Sequence, residues 1–213
     1  MNKMTDLESI YLGKISESLA RLNASERFLN MHSASGDIFD LDSSVLQMRK
    51  ALEAVAFAAI APNKAQYAKF RAQAEKSNDF TKDYNAKSIL QSLSKINPDF
   101  FPRPTSPPIP VSPGNWHFDQ RKDNSLTKDR FEKFYGRLGS HLHADNPWGN
   151  EKGLSNLVKD IPEIILACRA LISWHFTTIR TPEFSGVWVV EAPTDGTLPK
   201  MWIAKATGEF VVQ

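Results

Sequence analysis

The sequence predicts a mainly α-helical protein, a helical bundle followed by a small antiparallel β-meander. Apolar residues recur at helical spacing over most of the chain. A segment with seven prolines, residues 97–116, interrupts this pattern. Short β-rich runs separated by turn residues fill the last thirty residues. We therefore assign residues 1–182 to the bundle, with residues 97–116 as a strap, and residues 183–213 to the meander.

Two helices are predicted in the first third of the chain. The first covers residues 4–31, where leucines and isoleucines line one face, and the sequence SASGD at residues 33–37 ends it. Asp42 is predicted to be the N-cap of the second helix, which ends at Pro62. The alanine-rich second half of this helix is almost entirely apolar, which is typical of a buried central helix.

Residues 63–76 and 82–96 predict two further helices, the second with apolar residues at core spacing. The proline-rich segment that follows must be extended or turning. We expect it to pack across the bundle through three aromatic side chains, Phe100, Phe101 and Trp116. A proline-type ligand for a partner protein is the alternative.

Two helices are predicted on either side of the turn sequence DNPWGN. Thr127 caps the first, and the second covers roughly residues 152–180, including His175. The runs GVWVVEA, KMWIAKA and EFVVQ then predict a three-stranded meander. A sheet this small needs a helical surface to pack on, and Trp188 and Trp202 are expected to provide that contact.

Composition narrows the class of protein. The net charge of +2 permits contact with nucleic acid without favouring it. The single cysteine, Cys168, excludes an intrachain disulfide, fits a reducing compartment and is expected to be buried. No signal peptide is visible and the longest apolar run is too short to span a bilayer, so we expect a cytoplasmic protein without membrane contact. Nucleotide-binding loops, serine-hydrolase elbows and cysteine pairs are absent from the sequence.

The stretch YGRLGSHLHADNPWG, residues 135–149, concentrates the polar chemistry of the chain. Its HLHAD sequence is similar to the start of the metal signature of metallo-β-lactamase-like hydrolases. That signature continues with a histidine, where this chain has Asn146, and on a helix these alternating ligands would not face one point. The sequence therefore argues against a metal centre, and no cofactor is predicted.

Metal-free chemistry on a phosphodiester is the second interpretation of this stretch. Arg137 and His141 are four residues apart and share a helix face, and His143 joins them if the helix ends near Ala144. An imidazole can exchange a proton near neutral pH, and a guanidinium can hold a phosphate. A third interpretation is a polar helix end whose side chains only cap and solvate it.

Four sequence stretches resemble known proteins. RLGSHLH fits the Arg-x5-His motif of the HEPN superfamily as Arg137 and His143, and RKALEAVAFAAIA is similar to its R-x-x-L-E helix. Together with KINPDFFPRP and LHADNPWG, the combination also resembles a family of bacterial proteins of unknown function, over roughly residues 45–210. The resemblance implies a HEPN-like helical bundle, often a homodimer whose two Arg–His motifs face each other.

The same resemblance implies a function. Many HEPN proteins are metal-independent ribonucleases of toxin–antitoxin or antiviral defence systems, and many others are inactive binding or sensing modules. The ribonuclease hypothesis gives His143 the role of general acid or base and Arg137 that of phosphate clamp. His141, Asp145 and Asn146 would support them. Leu138 departs from the pattern, since active members usually have Asn, Asp or His at this position.

A second group of charged residues lies on the predicted central helix. Arg49 and Glu53, four apart on the central helix, form either an ion pair at the bundle edge or the polar wall of a pocket facing Arg137.

The expected partners are a second copy of the chain, an RNA substrate, and an antitoxin or defence subunit. A non-catalytic dimerisation or partner-binding module is the alternative to the ribonuclease, and a small-ligand sensor is a third hypothesis.

Overall fold

The computed structural model describes residues 5–74, 83–121, 124–143, 153–180 and 185–205. The helices are α1 (Asp6–Ser35), α2 (Ile38–Ile60), α3 (Lys64–Ala74), α4 (Ala86–Ile96), α5 (Lys128–His141) and α6 (Leu154–Ser173). The strands are β1 (Arg103–Pro104), β2 (Ile109–Ser112), β3 (Asn115–His117), β4 (Trp174–Arg180), β5 (Ser185–Glu191) and β6 (Lys200–Ala204). The protein is thus mainly helical with a small antiparallel sheet, as the sequence predicts.

Helices α1 and α2 form a hairpin, and their mutual contact is more extensive than that of any other helix pair in the described residues. Gly36 ends α1 with a left-handed φ of 75°, a conformation that glycine adopts without strain. Asp37 immediately begins α2, because its carboxylate accepts a hydrogen bond from the Phe39 N–H at 2.9 Å. The prediction of Asp42 as the N-cap is wrong, since the helix starts as soon as Asp37 offers a cap.

The alanine-rich half of α2 is buried as predicted, with Ala51, Leu52 and Ala56 fully enclosed. A 3-10 turn at residues 61–63 connects α2 to α3. At the end of α4 the buried Asn97 amide donates to the Asn63 side chain at 3.1 Å and to the Thr178 carbonyl at 3.2 Å. One side chain therefore joins the turn after α2, the end of α4 and strand β4.

The predicted helix over residues 152–180 ends at Ser173, and the rest of that range is strand β4. Its sequence WHFTTIR is rich in aromatic and β-branched residues, which favour a pleated surface. His175, Thr177 and Ile179 alternate along β4 and are buried. The prediction that His175 lies on a helix is therefore wrong.

Within the described residues the larger sheet has the strand order β1–β4–β5–β6, all antiparallel. The runs GVWVVEA and KMWIAKA form β5 and β6 as predicted, while EFVVQ lies outside the described residues. Strands β1 and β4 precede residue 183, so sheet and bundle are interleaved along the chain. Trp188 is buried against Tyr11 as expected, whereas Trp202 lies on the opposite face, 47% exposed.

The proline-rich segment behaves as a strap over only part of its length. Phe100 is buried, and Phe101 packs edge-on against Phe131 with ring centroids 6.2 Å apart. The prediction that Trp116 packs on the bundle is wrong. Trp116 lies on the hairpin of β2 and β3, and 56% of it is exposed.

Cys168 is buried in α6, as predicted, and burial raises the pKa of its thiol to about 12. Every helix in the described ranges is too short or too polar to traverse a lipid bilayer.

Candidate functional site

Helix α5 carries the candidate residues Arg137 and His141, and it is fixed at both ends. The Thr127 hydroxyl caps it by accepting a hydrogen bond from the Arg130 N–H at 3.3 Å, as the sequence predicts. Its inner face packs into the core through four buried side chains, Phe131, Phe134, Tyr135 and Leu138. Leu142 is the C-cap, so the helix ends one turn after Arg137.

Arg137 lies on the outer side of α5, where its side chain is about half exposed. Its guanidinium donates a hydrogen bond to the Asp160 carboxylate of α6 and forms an ion pair with it. An exposed ion pair of this kind is weak, because water screens both charges. The guanidinium can therefore exchange Asp160 for another anion at low cost.

His141 lies one turn further along α5 but contacts a different helix. His141 is only 8% exposed, and its imidazole Nε2 donates a hydrogen bond to the Asp42 carboxylate of α2 at 2.9 Å. The spacing of four places Arg137 and His141 close together on α5, but the structure gives them partners on different helices. His141 therefore anchors the end of α5 to α2.

His143 lies two residues beyond the last residue of α5 and is exposed. The helix thus ends before His143, as the metal-free interpretation requires. Asp145 and Asn146, the predicted supporting residues, lie outside the described residues.

A polar cluster of three side chains lies between α2 and α5: Arg49, Glu53 and Tyr135. The Arg49 Nη2 donates to the Tyr135 hydroxyl at 2.6 Å, and that hydroxyl donates to Glu53 at 2.8 Å. The Arg49 guanidinium also lies over the Tyr135 ring, 4.0 Å from its centroid. Burial first, and then the hydrogen bond to Glu53, raise the pKa of Tyr135 to about 12.

The ion pair predicted between Arg49 and Glu53 is present, with 3.3 Å between the Arg49 Nε and the Glu53 Oε1. The alternative of a pocket wall facing Arg137 is not what the structure shows. Arg49 packs directly on the backbone of α5, where a methyl group placed on Gly139 would come within 2.4 Å of its Nη1. Arg137 is held by α6 instead.

Three residues of this region were not singled out from the sequence as parts of a site: Asp42, Tyr135 and Asp160. Asp42, Arg49 and Glu53 are spaced by seven and four residues, which places them on one face of α2. That spacing was the available signal for the contact with α5. Asp160 gives no comparable signal, since its pairing depends on how α5 and α6 cross.

A metal centre finds no support in the described part of the chain, which contains no group of three or more potential His, Cys, Asp or Glu ligands. His175 is fully buried on β4. Its Nδ1 donates to the Ile172 carbonyl at 2.9 Å, so its Nε2 accepts from the Tyr11 hydroxyl at 2.8 Å. Desolvation lowers the pKa of His175 to about 4, which keeps the ring neutral.

Comparisons of the chain with protein-family models, with curated proteins and with solved structures found no match.

Proposed function

We propose that this protein cleaves RNA without a metal ion, at the end of α5. The observation that supports it is the sorting of polar side chains there: His141 is buried against Asp42, whereas Arg137 and His143 lie at the surface. A general acid or base must reach its substrate, and His143 meets that requirement better than His141. The Arg-x5-His resemblance to HEPN ribonucleases points to the same pair.

The proposed chemistry uses the RNA 2′-hydroxyl as the nucleophile. His143 removes its proton, attack on the adjacent phosphorus forms a 2′,3′-cyclic phosphate, and the 5′-oxygen of the next nucleotide leaves with a proton from water. Arg137 binds the phosphate oxygens and stabilises the charge that develops on them. The helix ends at His141, four residues or roughly 6 Å of rise beyond Arg137, and His143 follows two residues later, a gap that a long arginine side chain and a nucleotide can bridge.

Cleavage in excess EDTA tests the proposal. Wild type should cut single-stranded RNA, and His143→Ala should lower the rate by roughly a hundredfold or more, the typical contribution of a general acid or base. His117→Ala is the matched control, because that imidazole is also exposed but lies on β3. Intact RNA with wild-type protein, or equal cleavage by His143→Ala, would overturn the proposal.

The buried histidine provides a second arm of this experiment. His141→Gln should weaken the anchor to Asp42 and lower stability, yet still cleave RNA when assayed well below its melting temperature. Loss of cleavage in a fully folded His141→Gln variant would show that His141, rather than His143, is the working group.

Arg137 and its partner are tested by the Asp160→Asn variant. Removing this carboxylate releases the guanidinium from its ion pair. We expect a lower KM for RNA with little change in kcat. A raised KM would show that Asp160 holds Arg137 in its productive position.

A non-catalytic HEPN-like module, which dimerises or binds a partner such as an antitoxin or defence subunit, is the second candidate. Leu138 favours it: an apolar, fully buried side chain lies where active HEPN members have a polar group beside the motif arginine. Recovery of a stoichiometric partner by wild type and His143→Ala alike, with no cleavage by either, would support this module.

A further inference from the structure

The four-stranded sheet has an outer face that carries a second, separate set of side chains. Residues that are directly paired in antiparallel strands point to the same side of a sheet. His175 and Trp188 point inward and contact Tyr11. Their neighbours Trp174 and Val189 therefore point outward, as does Trp202, the β6 partner of Val189.

Two tryptophans form a parallel aromatic pair on this face. The rings of Trp174 and Trp202 are inclined by only 5°, with centroids 6.0 Å apart. Val189 lies on the same face between their strands and is only 4% exposed, whereas Trp202 is 47% exposed. Trp202 thus keeps aromatic surface in contact with water, beside an apolar Val189 that is closed to it.

A carboxylate and an ammonium group lie beside the aromatic pair. Glu191 is the β5 partner of Trp174 and also of Lys200 on β6, so the three side chains form one row across the sheet. Across the described ranges, neither Glu191 nor Lys200 forms a hydrogen bond or ion pair with another side chain. We call Trp174, Glu191, Lys200 and Trp202 the sheet patch.

We propose that the sheet patch binds single-stranded RNA through its bases. Bases stack on exposed aromatic rings whatever their identity, and a nearby cation contacts the phosphate backbone. Trp202 and Trp174 provide the stacking surface, and Lys200 provides the charge. The Glu191 carboxylate can accept a hydrogen bond from an exocyclic amino group, which cytosine has and uracil lacks. The sheet patch should therefore prefer oligocytidine to oligouridine.

This inference rests on the proposed function, because a protein that cleaves RNA must also bind it. It adds a binding surface on the C-terminal sheet to the cleavage site on α5. Its test measures binding rather than cleavage, so the two can fail separately.

Binding is measured by fluorescence anisotropy of labelled oligocytidine, in a His143→Ala background that prevents cleavage. Trp202→Ala should weaken binding roughly tenfold, the usual effect of removing one stacking partner. Trp202→Phe, which keeps an aromatic ring, should retain most of the affinity and guards against a folding defect. Trp116→Ala is the matched control: this tryptophan is 56% exposed but lies on the β2–β3 hairpin, so its loss should change nothing.

The two polar side chains provide independent readouts. Lys200→Ala should reduce the slope of log affinity against log salt concentration by about one, because one phosphate contact is lost. Glu191→Gln should narrow the preference for oligocytidine over oligouridine. Lys64→Ala, an exposed lysine at the start of α3, serves as the charge control.

The outcomes separate the two proposals. Weaker binding by Trp202→Ala, with Trp116→Ala unchanged, supports the sheet patch even if wild type never cleaves RNA. Equal affinity of Trp202→Ala and wild type overturns the sheet patch and leaves cleavage at α5 to be judged by its own assay. No RNA binding by the His143→Ala protein also overturns the sheet patch.

Discussion

At the scale of single residues, the two glycines of α5 differ in whether they contact the Arg49 side chain of α2. Gly136 and Gly139 lie on the same helix, and no neighbouring atom lies within 4 Å of a methyl group placed on Gly136. A methyl group on Gly139 would meet the Arg49 Nη1 at 2.4 Å. The absence of a side chain at Gly139 is therefore what lets Arg49 reach Tyr135.

Alanine at each glycine should have different effects on stability. Gly136→Ala should stabilise the protein by up to about 1 kcal/mol, the difference in helix propensity. Gly139→Ala gains the same propensity but displaces Arg49 from two hydrogen bonds, so it should be less stable than Gly136→Ala by roughly 1–2 kcal/mol. Urea denaturation measures both, and equal stabilities would show that Arg49 contributes nothing through this contact.

His175 should make stability depend on pH. Its pKa is about 4 in the folded protein against 6.5 for the unperturbed group, so below pH 6.5 the unfolded chain binds a proton that the folded protein does not. The free energy of unfolding should therefore fall as the pH decreases from about 6.5 to 4, by roughly 3 kcal/mol in total. Chemical denaturation across this range should show a flatter profile for His175→Gln. His117→Gln, at an exposed histidine, should keep the wild-type slope.

At the scale of elements, the contact of α2 with the end of α5 depends on Asp42. Asp42→Ala leaves the buried Nε2 of His141 without its acceptor, which should cost about 1 kcal/mol after allowance for the exposure of Asp42. Amide hydrogen exchange should become faster in the last turn of α5. Asp40→Ala is the control, because Asp40 also lies near the start of α2 and matches the helix-dipole effect. Equal exchange in both variants would contradict an anchor at His141.

The elements also show what the sequence can and cannot predict. Helix α5, its cap Thr127 and the buried half of α2 follow from local patterns, since spacing and capping act over a few residues. The sequence of strand β4 predicts a helix because it follows directly on the apolar pattern of α6, and only pairing with β1 and β5 makes it a strand. The ion pair of Arg49 with Glu53 is a local pattern as well, whereas Asp160 and Tyr135 acquire their roles through packing between distant segments.

At the scale of the whole molecule, the sheet and the helical bundle are joined by buried polar contacts. Asn97 connects the ends of α2 and α4 to β4, and Tyr11 of α1 donates to His175. The inward side chains of the sheet, such as Ile179, Trp188 and Val190, belong to the same hydrophobic core as the helices. The two parts should therefore unfold together.

Two spectroscopic signals test this coupling during denaturation. Far-UV circular dichroism follows the helices, and tryptophan fluorescence responds strongly to the sheet, which contains Trp174, Trp188 and Trp202. The two transitions should coincide in wild type. Asn97→Ala should lower the free energy of unfolding by roughly 1–3 kcal/mol and shift both midpoints together. Trp116→Phe removes the exposed hairpin signal as a control. Separate midpoints would show two independently stable units.

The pairing of β1 with β4 has a consequence for the order in which the protein is built. Pro104 pairs with His175, so roughly 70 residues must be synthesised between the two strands before they can meet. The α1–α2 hairpin, by contrast, is complete within the first 60 residues and can form while the ribosome is still translating the strap. The nascent chain thus carries β1 without its neighbour until β4 emerges, and the sheet closes late, over a helical surface that is already in place.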